Sequence, residues 1–285
     1  AGPMGAGLMR MAWLILAGCG QVDLTPIEEE TPPGSFALGE VAVVTSDFDR
    51  VEEVLEKLGI PFTLYDGFIQ GPSSEATLQD QYVTSLQPVE VLLESAERLN
   101  RYDVLFVNCG ARGTGTIDPV TQEVHDALLD DEEVIENLYR FVQNGGHLVV
   151  SDWSYTLLEA VFPREIDFQG DDSIPGAANL GGSTVLEAWI IDPVLQERVQ
   201  SSLVTIPFPL SGWALPILGE GIWIEADAPV PNLENGSVGV APSTPLLLHF
   251  ALGQGSITFT AFHNLPRVDQ VWTDLQIHLM ETLEP

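Results

Sequence analysis

The chain has 285 residues, with 42 acidic against 10 basic side chains and a formal net charge of −32. That charge excludes nucleic-acid binding and electrostatic docking on anionic lipid headgroups, because such a surface repels both. An apolar content of 45% is ample for a sizeable core, and two cysteines are too few for a disulfide framework.

At the N-terminus, Ala1 to Leu8 precede two candidate start methionines, Met9 and Met11. Arg10 then leads into a short apolar run, Met11 to Leu16 (MAWLIL), which ends at Leu16, Ala17, Gly18 and Cys19. A basic start, an apolar core and small residues before a cleavage point form the pattern of a secretory signal peptide. The Leu-Ala-Gly-Cys ending resembles the lipobox of bacterial lipoproteins. That resemblance implies a signal peptide over residues 1–18 and acylation of Cys19, which becomes the first mature residue. Gly20 lacks the aspartate associated with inner-membrane retention in lipoproteins of the enteric type, which favours the outer membrane. The alternative is a buried apolar N-terminal element with a chance cysteine.

Residues 21–34 read QVDLTPIEEETPPG, acidic and proline-rich without apolar periodicity, so 19–36 is expected to be a lipidated cysteine and an extended tether. Residues 37–285 are expected to form the folded domain. No later segment approaches the ~18–20 apolar residues needed to span a bilayer, so the lipid is the expected membrane attachment.

Within the domain, apolar runs alternate with amphipathic segments, which argues for parallel strands joined by helices. Val41 to Thr45 reads as a strand, Asp47 to Asp49 as a helix N-cap region and Val51 to Leu58 as the helix, stopped by Gly59. Pro61 to Tyr65 is a second strand, followed by a polar insertion and a helical stretch from Val89 to Leu99. Tyr102 to Val107 is a third strand ending at Asn108, Cys109 and Gly110. A helix around Glu132 to Val142 leads through Gly145 and Gly146 into the strand His147 to Val150, and Ser154 to Phe162 is the next helix. The second half is richer in β-type residues, with strands predicted at 184–191, 203–208, 221–225, 246–251 and 256–262, then a closing helix over 268–283.

Three passages carry a family likeness: YDVLFVNCG (102–110), F-V-x-N-G-G-x-L-V-V-S-D (141–152) and G-x-G-x-I-T-F-T-x-F-H-N (253–264). In this order they resemble the class I glutamine amidotransferase-like fold. The resemblance implies an α/β domain with a flavodoxin-like parallel sheet sandwiched by helices. It covers 38–165 and 245–283, and leaves 166–244 as a β-rich insertion. Members of that family place a cysteine nucleophile on a sharp turn after the fourth strand, a histidine base after the last strand and an acid two residues beyond. Here the nucleophile turn reads Ser151, Asp152, Trp153, Ser154, Tyr155, with neither cysteine nor small-residue elbow; the histidine persists as His263, and the acid position is Leu265. Losing nucleophile and acid removes amide hydrolysis by the family route.

Ligands of open α/β sheets bind at the carboxyl ends of the strands. That rule collects Ser46, Asp47, Asn108, Cys109, Arg112, Asp152, Trp153, Ser154, His263 and Asn264 as candidates. One reading is a rebuilt hydrolytic site, with Cys109 or Ser154 as nucleophile, His263 as base and Asp152 orienting it. A second is a small-ligand or cation pocket formed by Asp47, Asp152 and His263, although no close-spaced ligand motif supports a metal and no cofactor is expected. The third is structural: Cys109 as a buried apolar residue, Ser154 and Asn264 as caps, His263 bonded to backbone. The adjacent Asp171 and Asp172 read as a solvated acid pair, and the loop of Arg112 to Gly115 lacks the lysine of a phosphate-binding loop. Residues 207–216 (PFPLSGWALP) are an aromatic, proline-rich stretch with two readings: a lid or partner surface, or, more commonly for such a stretch, simple packing over the core. Taken together, these features predict a lipid-anchored cell-envelope protein that binds ligands or other envelope proteins, with hydrolysis as the alternative.

Overall fold

A computed structural model of the chain describes residues 36–68, 86–114, 128–170, 176–232, 237–264 and 270–284, with 116–117, 124–125 and 174. The lipobox, Cys19, most of the tether, most of the polar insertion, Gly115, Asp171, Asp172 and Leu265 lie outside these residues.

Ten strands make one sheet: β1 (Val41–Val44), β2 (Thr63–Asp66), β3 (Gln87–Pro88), β4 (Val104–Val107), β5 (His147–Ser151), β6 (Thr184–Ile190), β7 (Leu203–Phe208), β8 (Ile222–Pro231), β9 (Val238–Leu252) and β10 (Gly255–Thr260). Their spatial order is β7-β6-β8-β9-β10-β5-β4-β1-β2-β3. The strands from β10 to β3 pair in parallel, and those from β10 to β7 pair antiparallel. Reading β2-β1-β4-β5-β10, the core has the flavodoxin-like order, and the β-rich insertion extends the same sheet on one side.

The central strands are short runs of Val, Leu and Phe because both of their faces are covered. Val43 lies beside Phe106, Phe106 beside Val149 and Val149 beside Thr258, one buried row across the sheet. Strand β6 instead alternates exposed and buried residues, the pattern of a sheet with one solvated face.

Helices α1 (Val51–Lys57), α2 (Val89–Leu93), α3 (Ala96–Leu99), α4 (Glu132–Gln143), α5 (Tyr155–Val161), α6 (Pro193–Val199) and α7 (Gln270–Thr282) accompany this sheet, and three small two-stranded sheets lie beside it among the described residues. In α4 the Asp131 carboxylate accepts from Glu133 N–H at 2.8 Å, and Val134, Leu138, Phe141 and Val142 face the core. Each such burial stabilises the fold by roughly 1.5–3 kcal/mol. Among the described residues no helix is long and apolar enough to cross a membrane.

Several expectations need correction. The helix expected over Val89 to Leu99 is two helices, because Ser95 caps the second by accepting from Arg98 N–H. Residues 47–49 do not cap α1: Arg50 is the N-cap residue, and the Asp49 carboxylate is turned elsewhere. Strands β8 and β9 run well beyond 221–225 and 246–251, pairing through three register shifts. Helix α6 has no counterpart in the predicted elements, although Asp192 caps it through Leu195 N–H and Pro193 opens its first turn.

Candidate functional site

The site grows from the carboxyl ends of β1, β4, β5 and β10. After β1, the Ser46 hydroxyl accepts from the backbone N–H groups of Phe48 and Asp49 at 3.3 Å, forming a tight turn that presents Phe48. After β4, Asn108 donates to the Asp49 carbonyl at 3.3 Å and to Glu52 Oε2 at 2.9 Å, tying that strand end to α1. The fully buried Asp49 carboxylate accepts from Ser151 Oγ at 2.5 Å. Burial pushes the Glu52 carboxyl up to about 7, against the hydrogen bond from Asn108.

After β5, the chain turns sharply into a short helical turn at Asp152–Ser154, and Asp152 takes φ +42°. Few non-glycine residues occupy this left-handed region, and aspartate is among those that tolerate it. The turn lacks the small residues of the family's elbow, yet its backbone still forms an elbow, with an acid at its apex. Asp152 Oδ1 accepts from Ala214 N–H at 2.8 Å, and Oδ2 lies 3.3 Å from His263 Nε2. Cys109 Sγ donates to the same Oδ2 at 3.5 Å. Burial raises the Asp152 carboxyl, opposed by the His263 contact; burial, then the Asp152 charge, pushes the Cys109 thiol well up. The carboxylate stands between thiol and imidazole, whereas nucleophilic catalysis places the imidazole between nucleophile and acid.

Above this trio opens a cavity of about 450 Å³, walled by Phe48, Trp153, Phe208, Trp213 and Phe262 and bordered by residues 207–211. Phe208 and Trp213 stack at 4.1 Å, and Phe48 tilts against Trp153 at 5.0 Å. Trp153 Nε1 donates to the Gly212 carbonyl, and Gly212 N–H donates to Gly181 O at 2.7 Å, so the 207–213 segment is pinned at Gly212. Gly181 permits this closeness: a Cβ there would lie 2.1 Å from the Trp213 ring.

Of the expected residues, Cys109, Asp152, Trp153 and His263 line the cavity. Asp47 does not; Cys109 takes its place in the acid–imidazole group. Ser154 is buried and donates to Asn108 O at 2.7 Å, bracing the turn behind Cys109. Arg112 forms a two-pronged pair with Glu90 at 2.9 and 3.0 Å and donates to Phe68 O. Asn264 donates to Thr260 Oγ1 at 3.1 Å. Nothing in the sequence marks out Glu52 or the Asp49–Ser151 pair, since an acid beginning a helix looks like ordinary helix-start chemistry.

No protein-family model and no curated protein matches the sequence. Several solved structures do resemble the fold. The mmIFT52 N-terminal domain is 12% identical, with a TM-score of 0.51 over 86% of this chain and 97% of that one. A ThuA-like protein from Bacteroides uniformis is 8% identical, TM-score 0.45, over 89% and 94%. A glutamine amidotransferase from Thermotoga maritima is 9% identical, TM-score 0.38, over 79% and 75%. At these identities the likeness is one of fold alone.

Proposed function

We propose that this chain is a lipid-anchored cell-envelope protein whose amidotransferase-like domain has lost the family's nucleophile and binds a small, largely apolar ligand. The observation that carries the binding reading is the aromatic cavity of about 450 Å³ with a thiol, a carboxylate and an imidazole as its polar floor. Ligand sites are typically concave, mostly apolar and furnished with a few convergent polar groups. The raised thiol and its acid neighbour fit a binding floor better than a nucleophile, since the thiolate is the reactive form. Its partners would be other envelope or surface proteins, with no nucleic acid. Cys19 acylation would be its only membrane attachment, and the outer membrane the favoured location.

The test uses the purified full chain and the apolar probe anilinonaphthalene sulfonate. Saturable uptake of one probe per chain is expected, weakened about tenfold or more by Trp153→Ala, which removes one wall. Uptake unchanged in that variant, with its fold intact, would overturn the reading. Palmitate labelling that is lost in Cys19→Ser tests the anchor; labelling that persists in that variant overturns it.

One observation favours hydrolysis as a second reading: the elbow places Asp152 in contact with His263 at the cavity floor. Turnover of small esters or amides by wild type, abolished by His263→Gln, would establish it.

A further inference from the structure

We infer that Cys109, Asp152 and His263 form a three-ligand site for a divalent transition metal, best matched to zinc, with its fourth position open to the cavity. The three side chains come from the ends of three different strands, and their ligand atoms all lie within 4.8 Å of one another. Tetrahedral zinc with bonds of about 2.3 Å to sulfur, 2.0–2.1 Å to nitrogen and 2.0–2.2 Å to oxygen has sulfur–oxygen and nitrogen–oxygen edges of about 3.5 and 3.3 Å. Cys109 Sγ and Asp152 Oδ2 are 3.5 Å apart, and His263 Nε2 and Asp152 Oδ2 are 3.3 Å apart. Two edges of the tetrahedron therefore match, and the third pair, the cysteine sulfur and the imidazole nitrogen, also lies within 4.8 Å.

The surroundings suit the ion. Ala214 N–H holds Asp152 Oδ1 at 2.8 Å, which fixes the carboxylate and leaves Oδ2 facing the site, the kind of outer-shell support that metal ligands use. A mixed sulfur, nitrogen and oxygen set selects zinc-like ions over magnesium or calcium, which want oxygen throughout. On binding, the Cys109 S–H bond gives its proton to solvent as the sulfur–metal bond forms. One thiolate, one carboxylate and a dication sum to zero charge, so the occupied centre would be neutral beneath an apolar cavity. Three protein ligands and one open position are the pattern of catalytic zinc sites; structural sites are closed by four.

The site goes beyond the ligand-binding reading and is tested without it. Full chain stripped with a chelator is titrated with Zn²⁺ against a competing chromophoric chelator, and separately with Co²⁺. The expected result is one tight site per chain and, with Co²⁺, a near-ultraviolet thiolate charge-transfer band. Cys109→Ser should abolish that band, and His263→Gln should weaken Zn²⁺ binding by about 100-fold or more, since even outer-shell losses cost 10–100-fold. The triple variant Cys109→Ser, Asp152→Asn, His263→Gln measures background binding to the acidic surface, and circular dichroism checks each fold. If the triple variant fails to fold, the two single variants carry the comparison. Wild-type affinity no better than these variants, or Co²⁺ bound without the thiolate band, overturns the inference. Probe uptake by the stripped chain is measured separately, so failure of the metal site and failure of the apolar-ligand reading are distinct results.

Discussion

Asp152 Oδ2 lies 3.3 Å from His263 Nε2, while the other oxygen of the same carboxylate accepts from Ala214 N–H. One side chain on a left-handed turn thus joins the last core strand to the insertion. Replacing it separates its roles. Asp152→Asn keeps an oxygen for Ala214 N–H and tolerates φ +42°, so a loss below about 1.5 kcal/mol is expected. Asp152→Ala strands that N–H in the interior and puts a less tolerant residue in the left-handed region, costing about 2–4 kcal/mol. Urea unfolding of both variants checks this; equal losses would mean that neither the bond nor the turn matters.

Glu52 gives the fold an unusual pH response. Its carboxyl ionises near 4.5 when unfolded and at about 7 in the fold, raised first by burial. The folded state therefore holds an extra proton between those values, and stability falls as pH rises through that window. Glu52→Gln should remove the slope and gain about 1–3 kcal/mol at pH 8 relative to pH 4.5. Melting temperatures whose difference from wild type does not change with pH would refute the assignment.

His249 acts in the opposite sense. Its imidazole packs against Trp223 at 4.9 Å, pairs with Thr258 Oγ1 at 2.9 Å and is pushed down to about 4 by burial, then by His147 and His278. An unfolded histidine takes its proton near 6.5, so this group's contribution is whole above that pH and is lost as pH falls through about 4. His249→Phe keeps the ring contact and should shrink the stability lost between pH 7 and 4 by about 1–3 kcal/mol. Thermal melts across that range give the answer.

The packing of Gly181 on Trp213 offers a test remote from the polar floor. Gly181→Ala must displace the indole from a 2.1 Å approach, breaking its stack on Phe208. The expected cost is about 1–3 kcal/mol of overpacking, together with weaker uptake of an apolar probe. Unchanged uptake would show that the stack does not shape the cavity.

Much of this architecture is legible in the sequence, and what is not has physical reasons. The core strands β1, β4 and β5 declare themselves because two-sided burial demands nearly unbroken apolar runs, and each run stops at the residues that form the crevice. The contact between Cys109, Asp152 and His263 follows from that same rule about strand ends. The elbow at Asp152 was hidden, since a left-handed turn without glycine leaves no compositional mark. Helix α6 is short and its apolar periodicity weak, although Asp192 followed by Pro193 is a start signal in plain view. The lengths of β8 and β9 are obscured by their prolines and register shifts, which break the alternation that betrays a strand.

The hydrogen bond from Ala214 to Asp152 and the aromatic pair of Phe208 and Trp213 both come from the inserted half of the chain. The crevice is therefore a seam: its reactive atoms belong to the core, and its walls and its clamp on the acid belong to the insertion. Changes in residues 207–213 can retune what the cavity admits while leaving Cys109, Asp152 and His263 in place. The same dependence means that excising the insertion would open the cavity over Trp153 and Phe262 and release the acid from Ala214, leaving the core's thiol, carboxylate and imidazole without walls or clamp.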